Sequence, residues 1–213
     1  GYGHVSPASL AANIILTAES LVGLLGFALA TGLLFSRFSR PTAQVIFSKN
    51  ALIAPYQDIT AFMFRIANGR TNQLIELAAK VLFARFENED GRKVRRFYPL
   101  RLERDKVTFF PLSWTIVHPI DESSPLYGLA GDDFKESGAE FLILLTGIDE
   151  TFSQTVHTRS SYGAEEVICN ARFVTVFKLP TTNDEQLTID IKRLHMIERL
   201  DAAPPQPSQA SKP

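Results

Sequence analysis

The residues best suited to chemistry stand at the start of the chain, Gly1-Tyr2-Gly3. Successive backbone carbonyls aimed at one point can replace the water shell of a cation, which is how a potassium filter works. Glycines permit the alternating backbone angles this needs, and a tyrosine between them can pack outward and hold the width. Three such residues also occur in ordinary loops, so their meaning depends on the segment they precede. Glu19 is the second candidate, a carboxylate inside an otherwise apolar run, where an ionisable group is a functional candidate by default. The remaining polar chemistry is sparse. His118, His157 and His195 fall on separate segments without partners at metal-ligand spacing, so no metal site is expected. No nucleophile motif is present, and no enzyme is expected. Cys169 is the single cysteine, which excludes a disulfide framework or a thiolate cluster and suits a reducing compartment. It is expected to be a small buried residue.

The element that must position Gly1-Tyr2-Gly3 and Glu19 is the run from Leu10 to Phe35, LAANIILTAESLVGLLGFALATGLLF, with one charge and no proline. At about 1.5 Å rise per residue it is long enough to cross a hydrocarbon layer about 30 Å thick. Lipid offers the backbone no partners, so a lone span must be helical. The run is too long for a cleaved signal peptide, and no basic segment precedes it. Arg37 and Arg40 come next, then Pro41, which stops the helix. Arginines at that end place it in the cytoplasm, so Gly1 to Pro7 is expected outside and everything after Pro41 inside. Ser6 or Ser9 is expected to cap the helix, with Pro7 in its first turn. Gly23, Gly26, Ala28, Ala30 and Gly32 would let other helices approach closely. Directly before such a span, Gly1-Tyr2-Gly3 fits the end of an ion filter far better than a loop.

Beyond Pro41 the pattern alternates. Gln44–Ser48 and Ala51–Tyr56 flank a predicted tight turn at Lys49-Asn50, and Ile59–Asn68 is the next strand. In Gln73–Glu87, Ile75, Leu77, Ala79, Val81 and Phe83 alternate against Leu74, Glu76, Ala78, Lys80 and Leu82, with a hairpin tip at Asn88–Gly91. Further strands are predicted at Val94–Leu102, Lys106–Phe110, Trp114–Ile120, Gln154–Arg159, Arg172–Lys178 and Leu187–Ile191. Glu140–Ile148 is predicted as a strand buried on both faces, and Gly131–Ser137 as a small helix or turn. Many short strands with almost no helix indicate an antiparallel β-sandwich. The expected organisation is thus residues 1–7 as filter end and outer turn, 8–40 as a membrane α-helix, 41–200 as a mainly-β domain, and 201–213 as a disordered tail. A net charge of −1 argues against a nucleic-acid partner.

Several motifs, in order, resemble the inward rectifier potassium channel family, especially its prokaryotic KirBac-like branch. They are Gly1-Tyr2-Gly3, Ser20–Gly23 (SLVG), Arg37–Pro41 (RFSRP), Val45–Ala54 (VIFSKNALIA), Phe64–Arg70 (FRIANGR), Thr115–Leu129 (TIVHPIDESSPLYGL) and Leu145–Tyr162 (LTGIDETFSQTVHTRSSY). The resemblance implies a homotetramer in the cell inner membrane, multi-pass in the full-length parent. Its inner pore helices would line a cavity, and its cytoplasmic immunoglobulin-like β-sandwiches would continue the pore. No cofactor is implied: potassium is the permeant ion, held by filter carbonyls only. Gly1, Tyr2 and Gly3 match the filter. Ser20, Phe27, Thr31 and Phe35 match pore-lining positions, and their spacings of 7, 4 and 4 independently keep them near one helical face. Phe35 matches the bundle crossing, where an apolar ring could gate by dewetting. Strongly rectifying members carry an acid where Phe27 stands. Glu19, about 80° round the helix from Phe27, could face the cavity or brace the filter from behind.

Glu76 matches an acidic ring of the cytosolic pore, where four copies would concentrate cations, or is an exposed strand carboxylate. Thr146 stands where the family carries its other acid. With Phe27 this implies weak polyamine or magnesium block. Gly147, Ile148, Asp149, Glu150, Thr151 and Phe152 resemble a cytosolic gate loop, with Asp149 and Glu150 otherwise plain turn charges or interface salt bridges. Arg37 and Arg40 match positions that contact anionic or phosphoinositide headgroups, and are also ordinary topology anchors. Arg70 is a further basic candidate, or stabilises a subunit contact. His4 would sit just outside the filter, where its ring could tune conductance with pH or simply lie at the surface.

The competing reading is a single-pass membrane-anchored β-sandwich that binds or assembles without conduction. It explains the helix and strands but not Gly1-Tyr2-Gly3 or the pore-facing pattern. The chain begins without a methionine, inside a motif, so it is expected to be part of a longer protein. The outer, slide and pore helices and the first half of the filter would precede Gly1. These residues alone are therefore expected to form no selective pore, and potassium flux through liposomes containing only them would contradict that.

Overall fold

The computed structural model describes residues 4, 7–38, 44–69, 73–110, 112–178 and 188–200. It divides into two units, Gly1–Thr42 and Ala43–Pro213. The first is built on α1 (Leu10–Phe38), 29 residues and so about 43 Å long. Ser9 is its cap: the Ser9 Oγ accepts the Ala12 N–H at 3.2 Å. Pro7 therefore precedes the helix instead of lying in its first turn. Residues Leu10–Arg37 form a helix long and apolar enough to cross a membrane, and no part of that span is buried within the chain. A helix apolar on every side finds its complement in lipid or in other helices, not in its own chain.

The second unit is a sandwich of two sheets. In chain order come β1 (Val45–Phe47), β2 (Ala51–Tyr56), β3 (Ile59–Asn68), β4 (Leu74–Glu89), β5 (Arg92–Leu100), β6 (Lys106–Phe109) and β7 (Ser113–Ile120). The short α2 (Gly131–Glu136) precedes β8 (Glu140–Asp149), β9 (Gln154–Gly163), β10 (Val167–Cys169) and β11 (Ala171–Phe173). The chain closes with β12 (Phe177–Lys178), β13 (Thr188–Ile189) and β14 (Ile197–Arg199). In the first sheet β3 is central: β7 pairs one edge, β1 and β2 share the other, and β10 pairs β2. In the second, β8 pairs one edge of β4, β5 and β6 share the other, and β9 pairs β8. The pairing is antiparallel except for β10 with β2.

The predicted turn at Lys49-Asn50 is not one. Val45 pairs with Asn68 and Leu52 with Met63, so β1 and β2 form one strand interrupted at Ser48–Asn50. The Ser48 hydroxyl bridges the break, accepting the Arg65 N–H at 3.1 Å and donating to the Asn50 carbonyl at 2.8 Å. The chain turns instead at Gln57-Asp58, between Tyr56 and Ile59. The β4–β5 hairpin does turn where predicted, at Asp90-Gly91, with φ of 50° and 79°. Two successive positive φ angles make the turn whose twist suits a two-residue hairpin. The predicted strand at Arg172–Lys178 is broken by residues 174–176. Among the described residues of the predicted strand Leu187–Ile191, Thr188–Ile189 is strand and a 3-10 turn begins at Ile191.

Aromatic rings join the sheets. Phe62 of β3 stacks on Phe141 of β8 with centroids 4.2 Å apart at 11°. Phe83 and Phe134 pack beside Phe141, and Phe64 beside Tyr162. The Tyr162 hydroxyl donates to the Ser48 carbonyl at 2.8 Å, tying β9 to the break in the opposite sheet. Burial pushes its phenol up to about 12. Two expectations about burial fail. Glu140–Ile148 is not buried on both faces: burial alternates along β8 and Leu144 is 43% exposed, because among the described residues no layer covers the outer side of its sheet. Cys169 is exposed, since β10 lies at a sheet edge.

His118 is buried on β7. Its Nδ1–H donates to the Arg101 carbonyl at 2.6 Å, and its Nε2 accepts from the Ser124 hydroxyl at 2.8 Å. Burial pushes its pKa down, which favours the neutral ring and this direction for the Ser124 bond. Replacing Phe141 with alanine should cost about 3–5 kcal/mol of unfolding free energy, read by denaturant titration. The histidine sets a pH window. Above its unfolded pKa of about 6.5 the neutral ring costs nothing; below it the unfolded chain takes up a proton that the folded ring resists, so stability falls with falling pH. The thermal midpoint should therefore drop between pH 7 and pH 5, and less steeply in His118→Gln. His195, also shifted down by burial and by Lys49, contributes the residual slope.

Candidate functional site

Two surfaces carry the candidate residues. On α1, Ser20, Phe27, Thr31 and Phe35 succeed one another along one side, and all are exposed. The helix holds them in line but does not bring them together, spacing Ser20 and Phe35 about 23 Å apart along its axis. The Thr31 hydroxyl donates to the Phe27 carbonyl at 2.8 Å, so the helix itself satisfies that hydroxyl. Glu19 is exposed on the same helix, and Arg37 lies in the last turn, where a cation favours the helix dipole. Gly1, Tyr2, Gly3, Arg40 and Arg70 lie outside the described residues, as does the expected tail at 201–213.

The second surface is the outer side of the β4–β8–β9 sheet. Direct partners across antiparallel strands share a face, so the register gives its contents. One rung holds Lys106, Ala78, Thr146 and His157, and the next holds Lys80, Leu144 and Arg159. A third holds Pro99, Leu82, Leu142 and Ser161. Leu82, Leu142 and Leu144, flanked by Lys80 and Arg159, line a groove of about 530 Å³. Glu76 breaks the predicted alternation of β4. Its φ is 53° and the register to β8 shifts between Ile75 and Ala78, a bulge that buries Leu74 where alternation predicted Ile75. The bulge brings the Glu76 carboxylate into an ion pair with the Lys106 ammonium. Beside it the Thr146 Oγ1 and His157 Nδ1 share a hydrogen bond of 3.0 Å.

Gly147–Phe152 lies at the tip of the β8–β9 hairpin. Gly147, Ile148 and Asp149 end β8, and residues 150–153 form the turn. A Cβ on Gly147 would stand 2.9 Å from the Leu77 Cδ1 and 3.4 Å from the Ile75 carbonyl, so the glycine allows the strands to close here. Asp149 is fully buried, and its Oδ1 accepts the N–H groups of Thr151 at 3.0 Å and Phe152 at 3.3 Å. It braces the turn from within. Glu150 and Phe152 remain exposed, with the Glu150 N–H held by the Gln73 carbonyl at 3.2 Å.

Sequence reasoning overlooked Lys106 and Arg159 and gave Lys80 no role. Lys80 sits in the polar phase of β4, which was a usable signal. Lys106 opens a short predicted strand, and nothing local ties it to Glu76 thirty residues earlier.

Known proteins share both units. Residues 45–212 match the inward rectifier potassium channel C-terminal domain. The inward rectifier potassium channel Kirbac3.1 of Paramagnetospirillum magnetotacticum is 40% identical over 198 residues, covering 92% of this chain and 66% of that protein. The Homo sapiens inward rectifier potassium channel 18 is 28% identical over 217 residues, covering 96% of this chain and 49% of the relative. The Mus musculus ATP-sensitive inward rectifier potassium channel 12 is 27% identical with the same coverage. The chain thus spans between about half and just under two thirds of the length of these relatives. They are ion channels, not enzymes. The family match over the β unit, and similarity running through nearly the whole chain, establish that this chain belongs to the inward rectifier potassium channel family, in its prokaryotic KirBac-like branch.

Proposed function

We propose that this chain is a subunit of a potassium channel in the cell inner membrane, in which four copies surround one axis. The observation that carries this is the 40% identity to a named inward rectifier over 92% of the chain, which takes in α1 as well as the sandwich. Gly1, Tyr2 and Gly3 would end the filter, where carbonyls exchange for the ion's water. Ser20, Phe27, Thr31 and Phe35 would line the cavity below it, with Glu19 facing the cavity or bracing the filter. The exposure of the apolar span of α1 supports this, since apolar sides left unburied are free to meet copies of the helix.

Two constrictions would control flux: a ring of Phe35 at the bundle crossing, which can dewet, and the hairpin tip Gly147–Phe152. The brace from Asp149 to Thr151 and Phe152 supports a stiff tip. Arg37, with Arg40 and Arg70, would meet anionic headgroups on the cytoplasmic side. Polyamine or magnesium block would be weak.

The test uses the full-length parent in liposomes. Potassium flux should exceed sodium flux, the purified protein should assemble fourfold, and Phe35→Ala should raise resting potassium flux severalfold. A monomer, or equal fluxes of the two ions, would instead support a membrane-anchored binding module. Unchanged flux in Phe35→Ala would move the gate to Gly147–Phe152.

A further inference from the structure

The side of the first sheet away from the aromatic core is covered by the last described segment of the chain. Met63 and Val117 share a small core with Ala171, and Phe173 and Ile197 pack against it. A smaller cluster joins Ala67 of β3 to Val176 and Leu194, with Ile46 and Ile189 beside it. Between the two in β3, the Arg65 guanidinium donates to the Val174 carbonyl at 2.6 Å and lies 4.7 Å from the centre of the Phe173 ring. Backbone bonds hold the segment to itself: the Val174 N–H donates to the Met196 carbonyl at 3.1 Å, and the Asp190 N–H to the Val176 carbonyl at 2.9 Å. A layer resting on so few buried side chains can open locally while the rest of the fold stays closed.

The 3-10 turn Ile191–His195 ends in the one buried side-chain nitrogen or oxygen, among the described residues, that lacks a hydrogen-bond partner: the Nδ1 of His195. Burial, then the charge of Lys49 on the link between β1 and β2, holds the pKa of this ring down. The other charges about it are mostly positive. The turn packs on β3, whose single charged residue is Arg65. The turn itself adds Lys192 and Arg193, and β12 adds Lys178. The carboxylate of Asp190 is already engaged: its Oδ1 accepts the Lys192 N–H at 3.1 Å, and its Oδ2 lies 3.7 Å from the Lys178 Nζ and 3.9 Å from the Arg193 Nε. Glu198 pairs with Arg172 at 2.9 Å. A neutral ring forgoes one hydrogen bond here. A protonated ring puts a charge beside Lys49 and an N–H where no acceptor waits.

We propose that His195 is an acid-operated latch: neutral, it lets residues 188–200 lie on the first sheet, and protonated, it releases them while the two-sheet core stays closed. The latch is a property of the sandwich and does not depend on conduction. Its sign follows from the folded ring binding its proton less readily than the free one. The seated state has its full stability above about pH 6.5 and loses it as the pH falls below that value.

The experiment is hydrogen–deuterium exchange of the full-length parent in detergent at pH 7.5 and pH 5.5, read by mass spectrometry as protection factors. Protection of residues 188–200 should fall severalfold at the lower pH, with a ceiling of about tenfold set by a free ring of pKa about 6.5. Protection of β4 and β8 should hold. In His195→Gln the fall should vanish, and in Lys49→Gln it should be smaller than in wild type. A pH-independent segment in wild type would overturn the proposal, as would a fall that persists in His195→Gln or one shared equally by β4 and β8. Should His195→Gln lose the protection of β8 at pH 7.5, Lys49→Gln decides, and an undiminished fall there overturns the latch.

Discussion

The contact of Phe62 with Phe141, one ring from each sheet, fixes which sides of the sandwich are core. Strand side chains alternate, so burying Phe83, Phe141 and Tyr162 on one face commits Lys80, Leu144 and Arg159 to the other. Among the described residues nothing is placed over that other face, which leaves leucines and cations together in the open. The Tyr162 hydroxyl completes the arrangement by holding the interrupted β1–β2 strand across the sandwich. It removes a polar tip from water only where a carbonyl is ready to accept it.

Local backbone departures then adjust what the exposed face shows. At Glu76 a bulge changes the phase of β4, so the residues before it and after it obey different alternations. At the far end of β8 a buried carboxylate, Asp149, replaces the missing backbone partners of a tight turn. Both are places where regular pairing is broken beside a carboxylate: Asp149 accepts backbone N–H groups of its turn, and Glu76 pairs with Lys106. Both adjoin the segments that resemble the family's ion-path motifs. The helical unit obeys a simpler rule, because its backbone is satisfied internally and its apolar sides are complementary to lipid or to like helices.

Much of the framework that carries the candidate residues was legible in the sequence, because its signals are local. A long apolar run trailed by arginines and a proline has one sensible conformation, and α1 runs over Leu10–Phe38. The strands of the sandwich announced themselves by alternation, and the motif order identified the family. What failed was non-local. Pairing β1 with β3 instead of β2 depends on how Ser48 bridges a break, and two short apolar runs around Lys49-Asn50 look the same in either case. Glutamate is a poor predictor of a positive φ, so the bulge at Glu76 left no mark.

By itself, then, the order of residues determined that this chain has a helix long and apolar enough to cross a membrane and a β-sandwich of the inward rectifier family. Hydrophobic period and backbone satisfaction act within a few residues and can be counted along the chain. Only the tertiary structure decided which charges meet. Lys106 and Glu76 are brought together by register across β4 and β6, and Thr146 and His157 by register across β8 and β9. Register is set by the packing of a whole core, and a shift of one residue would send each of these side chains to the opposite face.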